Sequence, residues 1–259
     1  MQYENHKKAI KVLEEIDKNP SNYLMIHYSC ESFYDIKDGH TPRITSIAVY
    51  NYSSAQTESF SLHKIAEKMH VELKDVESEY DELEREMLRE YFEYVNIHKE
   101  YYWIHWNMRD INYGFKAIEH RYSVLGGESI KIDDNKKIDL SRLFIMCYGV
   151  NYIAHPRMQK LLEKNHIQAR NYLCGAEEAT AFENKEYIKL HMSTLRKVDV
   201  FADLLTRAIN NTLKTDAKWS EVYGMSPQGI FDYCKSKWWI QIILSIVTLF
   251  IGAVLGKLI

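Results

Sequence analysis

Residues 22–29 read NYLMIHYS, and the interpretation of this run decides the fold. It follows Asn19-Pro20, which ends a helical pattern carrying Ala9, Ile10, Leu13 and Ile16 at three-to-four spacing. A short apolar-rich run after such a stop suits a buried strand. Beyond a polar loop, Pro42 precedes RITSIAVYNY (43–52), where Ile44, Ser46, Ala48 and Tyr50 alternate with Thr45, Ile47, Val49 and Asn51. That alternation predicts a second strand. Ser-Ser-Ala-Gln then makes a turn into TESFSLH (57–63), with Phe60 and Leu62 on one side. The chain opens as a three-stranded meander.

A long helix follows over Ser78–His98, with Tyr80, Leu83, Met87, Tyr91, Tyr94 and Val95 on one face and Ser78 placed as its N-cap. Its other face carries Glu82, Glu84, Glu86, Glu90 and Glu93, which reads as solvated. YYWIHW (101–106) is a buried strand running into a helix that starts near Asp110, and Gly126-Gly127 closes that unit. Later segments (138–149, 157–167 and 193–213) show helical spacing, and the polar stretch 175–192 reads as loop or irregular helix. This order predicts an α/β fold, a central mixed sheet with flanking helices. The expected organisation is an N-terminal helix (1–20), the α/β domain (21–214) and a membrane-proximal linker (215–237).

The C-terminus reads WWIQIILSIVTLFIGAVLG over 238–256, without a charge. As one helix it would be roughly 28 Å long, close to the ~30 Å hydrocarbon core of a bilayer. Trp238 and Trp239 suit an interfacial aromatic belt, and Lys235 and Lys237 precede them. The expectation is one C-terminal transmembrane helix anchoring a cytoplasmic domain. Gly252 and Gly256 form a GxxxG that would support weak self-association. Cys30, Cys147, Cys174 and Cys234 have no zinc-type spacing and read as free thiols. A formal charge of −3 removes the simplest argument for a nucleic-acid binder, a strongly basic surface. No P-loop, GxGxxG, HExxH or GxSxG motif occurs.

Polar residues at strand ends mark where a site is expected. Ser29 and Glu31 sit two apart at the end of the first strand, His105 and Asp110 follow the fourth, and Asp139 starts a helix. Asp199 and Asp203 lie one helical turn apart, with His191 eight residues before Asp199. On these residues the stretch 22–213 resembles the DEDD-type 3′–5′ exonucleases of the ribonuclease H-like fold. That resemblance implies Glu31, Asp110 and Asp199 (or Asp203) as ligands of Mg or Mn, with His105 as the catalytic histidine of the turn motif. It implies in-line phosphodiester hydrolysis acting on single-stranded nucleic acid. Ser29 stands where the family has its first Asp, and the His191–Asp199 spacing is wider than usual. A hydroxyl is a poor ligand for a hard dication. A non-catalytic relative that binds a nucleic-acid end or a nucleotide is therefore a second reading, and a membrane-tethered protein-interaction domain a third. Each residue also has a plain account. Glu31 would be a surface carboxylate, Asp110 a helix cap, His105 a core histidine, and Asp199 and Asp203 solvated helix positions. Tyr101, Tyr102, Trp103 and Trp106 would pack the core rather than stack bases.

Overall fold

Strand β1 (Tyr23–Cys30) takes the centre of a five-stranded mixed sheet. The computed structural model describes residues 2–32 and 41–255. β2 (Ile44–Asn51) and β3 (Thr57–Ser61) extend the sheet on one side of β1 as antiparallel neighbours. β4 (Tyr102–His105) and β5 (Lys137–Asp139) extend it on the other side, parallel to β1. The order is β3-β2-β1-β4-β5, so the chain leaves β1 toward one edge and later returns to pair on its other side.

Alternation along β1 divides the core in two, because successive side chains point to opposite faces. Leu24, Ile26 and Tyr28 join a cluster with Leu83, Met87 and Tyr91 of α3 (Tyr80–His98). Tyr23 and Met25 join the opposite cluster. That cluster is completed by α1 (Gln2–Lys18), α5 (Leu140–Tyr148) and α8 (Tyr187–Ile209). Trp103 is fully buried and Trp106 stacks on Phe201 at 6.1 Å between ring centroids, so these two aromatics are packing residues.

Several local expectations need correction. The helix after β4, α4 (Phe115–Val124), begins at Phe115 with Gly114 as N-cap, so Asp110 does not cap it. Gly114 is required by close approach, since a Cβ there would meet the Met108 carbonyl oxygen at 2.7 Å. The residue capping α3 is Glu79, and Ser78 instead donates to the Asp75 carbonyl. Leu62 leaves the sheet to start α2 (Leu62–Lys68). The stretch 157–167 holds α6 (Arg157–Lys164). The polar stretch 175–192 folds as α7 (Gly175–Glu183) and the first turns of α8. The expected linker holds α9 (Trp219–Tyr223) and α10 (Pro227–Ser236). The four cysteines are free.

Among the described residues no single helix is long and apolar enough to cross a membrane. α11 (Trp238–Leu255) follows α10 as a bent pair at 99°, and only the pair passes by length and composition. The expected uninterrupted span over 238–256 is thus unsupported as a single described helix. Gly256, half of the expected GxxxG, lies outside the described residues.

The glutamate-rich face of α3 is not uniformly solvated. Glu84 is 0% exposed and accepts from the Ile44 backbone N–H at 2.7 Å. Arg121 of α4 donates to it from Nε at 3.0 Å and from Nη2 at 2.6 Å. Burial raises the Glu84 carboxyl above its ordinary range, with Arg121 opposing that shift. The pair ties α3, α4 and β2 together inside the core. Removing one partner strands the other charge in a dry interior, which costs about 3–5 kcal/mol. Arg121→Ala is therefore expected to lower unfolding stability by about that amount. Combining it with Glu84→Leu should recover part of the loss. Denaturant titration of the full chain followed by near-UV circular dichroism checks both outcomes.

Candidate functional site

The parallel strands β1, β4 and β5 end on the same side of the sheet, where ligands of α/β proteins tend to bind beside a reversal of strand order. Two cavities open there. One, of about 680 Å³, lies at the end of β1 and is lined by His27, Tyr28, Glu31, Tyr113, Glu178 and Lys197, among others. The second, about 420 Å³, lies beyond β4 and β5 and includes His105, Asp110, Asp139 and Arg142. Glu31 and Asp110 thus line separate cavities.

Glu31 follows β1 directly. Its Oε2 accepts from the Arg43 N–H at 3.3 Å and lies 3.5 Å from Arg43 Nε. Arg43 also pairs with Glu77 at 2.9 Å and covers the Tyr80 ring at 4.5 Å. Asp110 is exposed, and its Oδ1 accepts from the Asn112 N–H at 2.8 Å, closing a local turn. Asp199 is half-buried 3.7 Å from Arg196, and Tyr50, whose pKa is raised first by burial, is raised further by the Asp199 charge. Tyr50 pairs with Met25, four residues along β2 from the Ser46 that pairs with Ser29. At the rise of an antiparallel strand that is roughly 14 Å from the end bearing Glu31. Asp203 is paired with Arg207 at 2.9 Å along its own helix.

His105 is buried, and its Nδ1 accepts from the Met108 N–H at 3.1 Å while Phe115 packs edge-on at 5.4 Å. Burial lowers its pKa to about 4. This is a neutral core histidine that fixes the turn after β4. Asp139 caps α5, accepting from the Ser141 and Arg142 N–H groups, and pairs with Arg109 at 2.9 Å. His191 packs on His63 at 4.9 Å, and burial drives its pKa to about 3. Among the described residues no group of three His, Cys, Asp or Glu is placed to hold a metal ion. The three carboxylates expected to bind Mg or Mn do not fit that role together, because one is turned toward Arg43, one lies in a different cavity and one sits toward the other end of β1.

What converges at the end of β1 is different. Thr194 of α8 places its hydroxyl 2.8 Å from Ser29 Oγ and 2.7 Å from Ser46 Oγ. Ser29 and Ser193 both donate to Glu178 Oε1, at 3.0 and 2.9 Å. Lys197 approaches Glu178 Oε2 at 2.6 Å. Ser193, Thr194 and Lys197 recur at three-to-four spacing, so one face of α8 delivers all of them. His27 Nδ1 lies 3.3 Å from the Tyr113 hydroxyl. Its Nε2 is buried without a hydrogen-bond partner among the described residues. Burial holds this imidazole neutral, and Lys197 reinforces the effect. Tyr28 and Tyr113 stack at 4.7 Å.

The cavity lining therefore carries two carboxylates and one ammonium beside neutral imidazole and aromatic surface. Such a site suits a flat, polar, uncharged group better than a bare phosphate, which two carboxylates would repel. Glu178, Lys197, His27, Tyr113 and Thr194 were absent from the sequence-derived site. Glu178 lay in a stretch read as loop or irregular helix. Comparison with protein-family models, with curated proteins and with solved structures yields no match to this chain.

His27, His105 and His191 are each held neutral by burial while the unfolded chain titrates near 6.5. Below 6.5 the unfolded state binds protons that the folded state refuses, so stability falls with pH. For His105 the loss is complete near 4, and for His191 near 3. The midpoint of thermal unfolding is expected to drop steadily across that window, and His191→Phe should flatten the drop.

Proposed function

We propose that this protein is a membrane-anchored relative of the ribonuclease H-like exonucleases that binds a nucleic-acid end or nucleotide without hydrolysing it. The carrying observation is the polar cluster at the end of β1. Where the resemblance implies a first aspartate, Ser29 shares Glu178 with an ammonium, that of Lys197. The hydroxyl packed against Ser29 from the last helix is Thr194. A charge-compensated, hydroxyl-rich cluster has no surplus of carboxylates to neutralise a dication. The mixed sheet order and the cavity at the carboxyl end of β1 favour the same fold family. In this reading a terminal base enters the cavity. His27, Glu178 and Lys197 meet its polar edge, Tyr113 offers ring surface, and the phosphates stay outside the acidic lining. The uncharged stretch 238–256 tethers the domain to the bilayer.

The full chain in lipid nanodiscs, given Mn²⁺ and a 5′-labelled oligothymidylate, is expected to raise the anisotropy of the strand and leave its length unchanged. The double substitution Lys197→Met with Glu178→Gln removes both charges together and should abolish the anisotropy rise. Release of mononucleotides, suppressed by Glu31→Gln and by Asp110→Asn, would restore the hydrolase reading. An unchanged anisotropy would instead favour the protein-interaction reading.

A further inference from the structure

We infer that α10 is an interfacial helix lying in the plane of the membrane surface, with Phe231 and Ile230 immersed among the lipid headgroups and upper acyl chains. This rests on the membrane-anchored reading and deepens it. One face of α10 packs on the body through α9. Ser226 caps it, accepting from the Gly229 N–H at 3.1 Å. Gly229 lies against the Tyr223 carbonyl so closely that a Cβ would sit 1.9 Å from its oxygen. Tyr233 stacks on Trp219 at 5.2 Å and meets Tyr223 at 5.4 Å. α9 in turn packs against α1 and α5, and Tyr223 meets His6 at 5.1 Å.

The opposite side is apolar, with Ile230 and Phe231 exposed and Cys234 partly buried. Pro227, Ile230, Phe231 and Cys234 fall at positions one, four, five and eight of a helical stripe. Phe231 is 62% exposed, and Met225, just before the helix, is 70% exposed. The stripe leads directly into the exposed apolar side chains of α11, and Lys235, Lys237, Trp238 and Trp239 stand at the junction. Lysines and tryptophans together mark headgroup depth. A ten-residue helix is about 15 Å long, too short to span a bilayer. It is long enough to lie on one, and the 99° turn into α11 is the geometry such a helix needs if α11 enters the membrane. The bilayer is the occupant this chemistry selects, because the apolar stripe is continuous with the anchor.

The full chain with Phe231→p-benzoylphenylalanine, reconstituted in phosphatidylcholine–phosphatidylglycerol vesicles and irradiated, is expected to yield lipid adducts on the peptide containing position 231. The same substitution at Ile97, which is 75% exposed on α3, should give background only. Flotation of both proteins with the vesicles after carbonate washing reports separately on the anchor. A protein that floats but forms no adduct at 231 overturns the interfacial helix and leaves the anchor intact. A protein that does not float overturns both.

Discussion

The hydroxyl of Thr194 fixes how the longest helix packed on the sheet meets it. It sits between Ser29 and Ser46 on neighbouring strands and also donates to the Leu190 carbonyl within its own helix. A residue any larger would hold α8 away from β1 and β2, and an apolar one would leave two buried serines without that partner. From this contact the rest of α8 follows by helical geometry. Ser193 and Lys197 reach Glu178, Phe201 reaches His27 edge-on at 5.7 Å, and Asp199 lies 3.7 Å from Arg196. The character of the cavity is thus set by packing before any ligand is considered.

Two charged pairs inside the molecule show how differently a buried carboxylate can be used. Glu84 is fully buried against Arg121 and the Ile44 N–H, so its charge is spent on joining α3 and α4 to the sheet. Glu178 has Lys197 and two hydroxyl donors, yet it lines a cavity. Both environments oppose an isolated charge, and in both the remedy is a cation within 2.6 Å. Glu84 is walled in; Glu178 is the one a small molecule can approach.

Much of the sheet was legible in the sequence because strand periodicity and turn chemistry are local. β1, β2 and β4 fell where alternation and apolar runs put them, and Asp139 caps its helix as expected. β5 was not legible, since three residues carry no periodicity. The site was the harder part. Spacing puts Ser29 and Glu31 on a common face, but the β1–β2 register shifts between Ser29 and Cys30, and Glu31 meets Arg43 while Ser29 meets Thr194. Asp199 has the right residue type at an acceptable place in a helix, yet the phase of that helix is set by Thr194, which no local pattern reveals. Glu84 failed for the same kind of reason: its partner lies 37 residues away.

The C-terminal elements join α11 to the sheet through short, well-packed steps. Had the stretch 215–237 been an extended linker, α11 would sample many orientations relative to the sheet. Instead Gly229 locks α10 to the Tyr223 carbonyl, and α9 rests on α1 and α5, the helices that cover one face of the sheet. Each step is a contact between structured elements, so the orientation of α10 is tied to that of the sheet and of the cavity at the end of β1. α10, α9 and the helices that cover the sheet are in this way parts of one packing arrangement, joined at a glycine with no room for a methyl group.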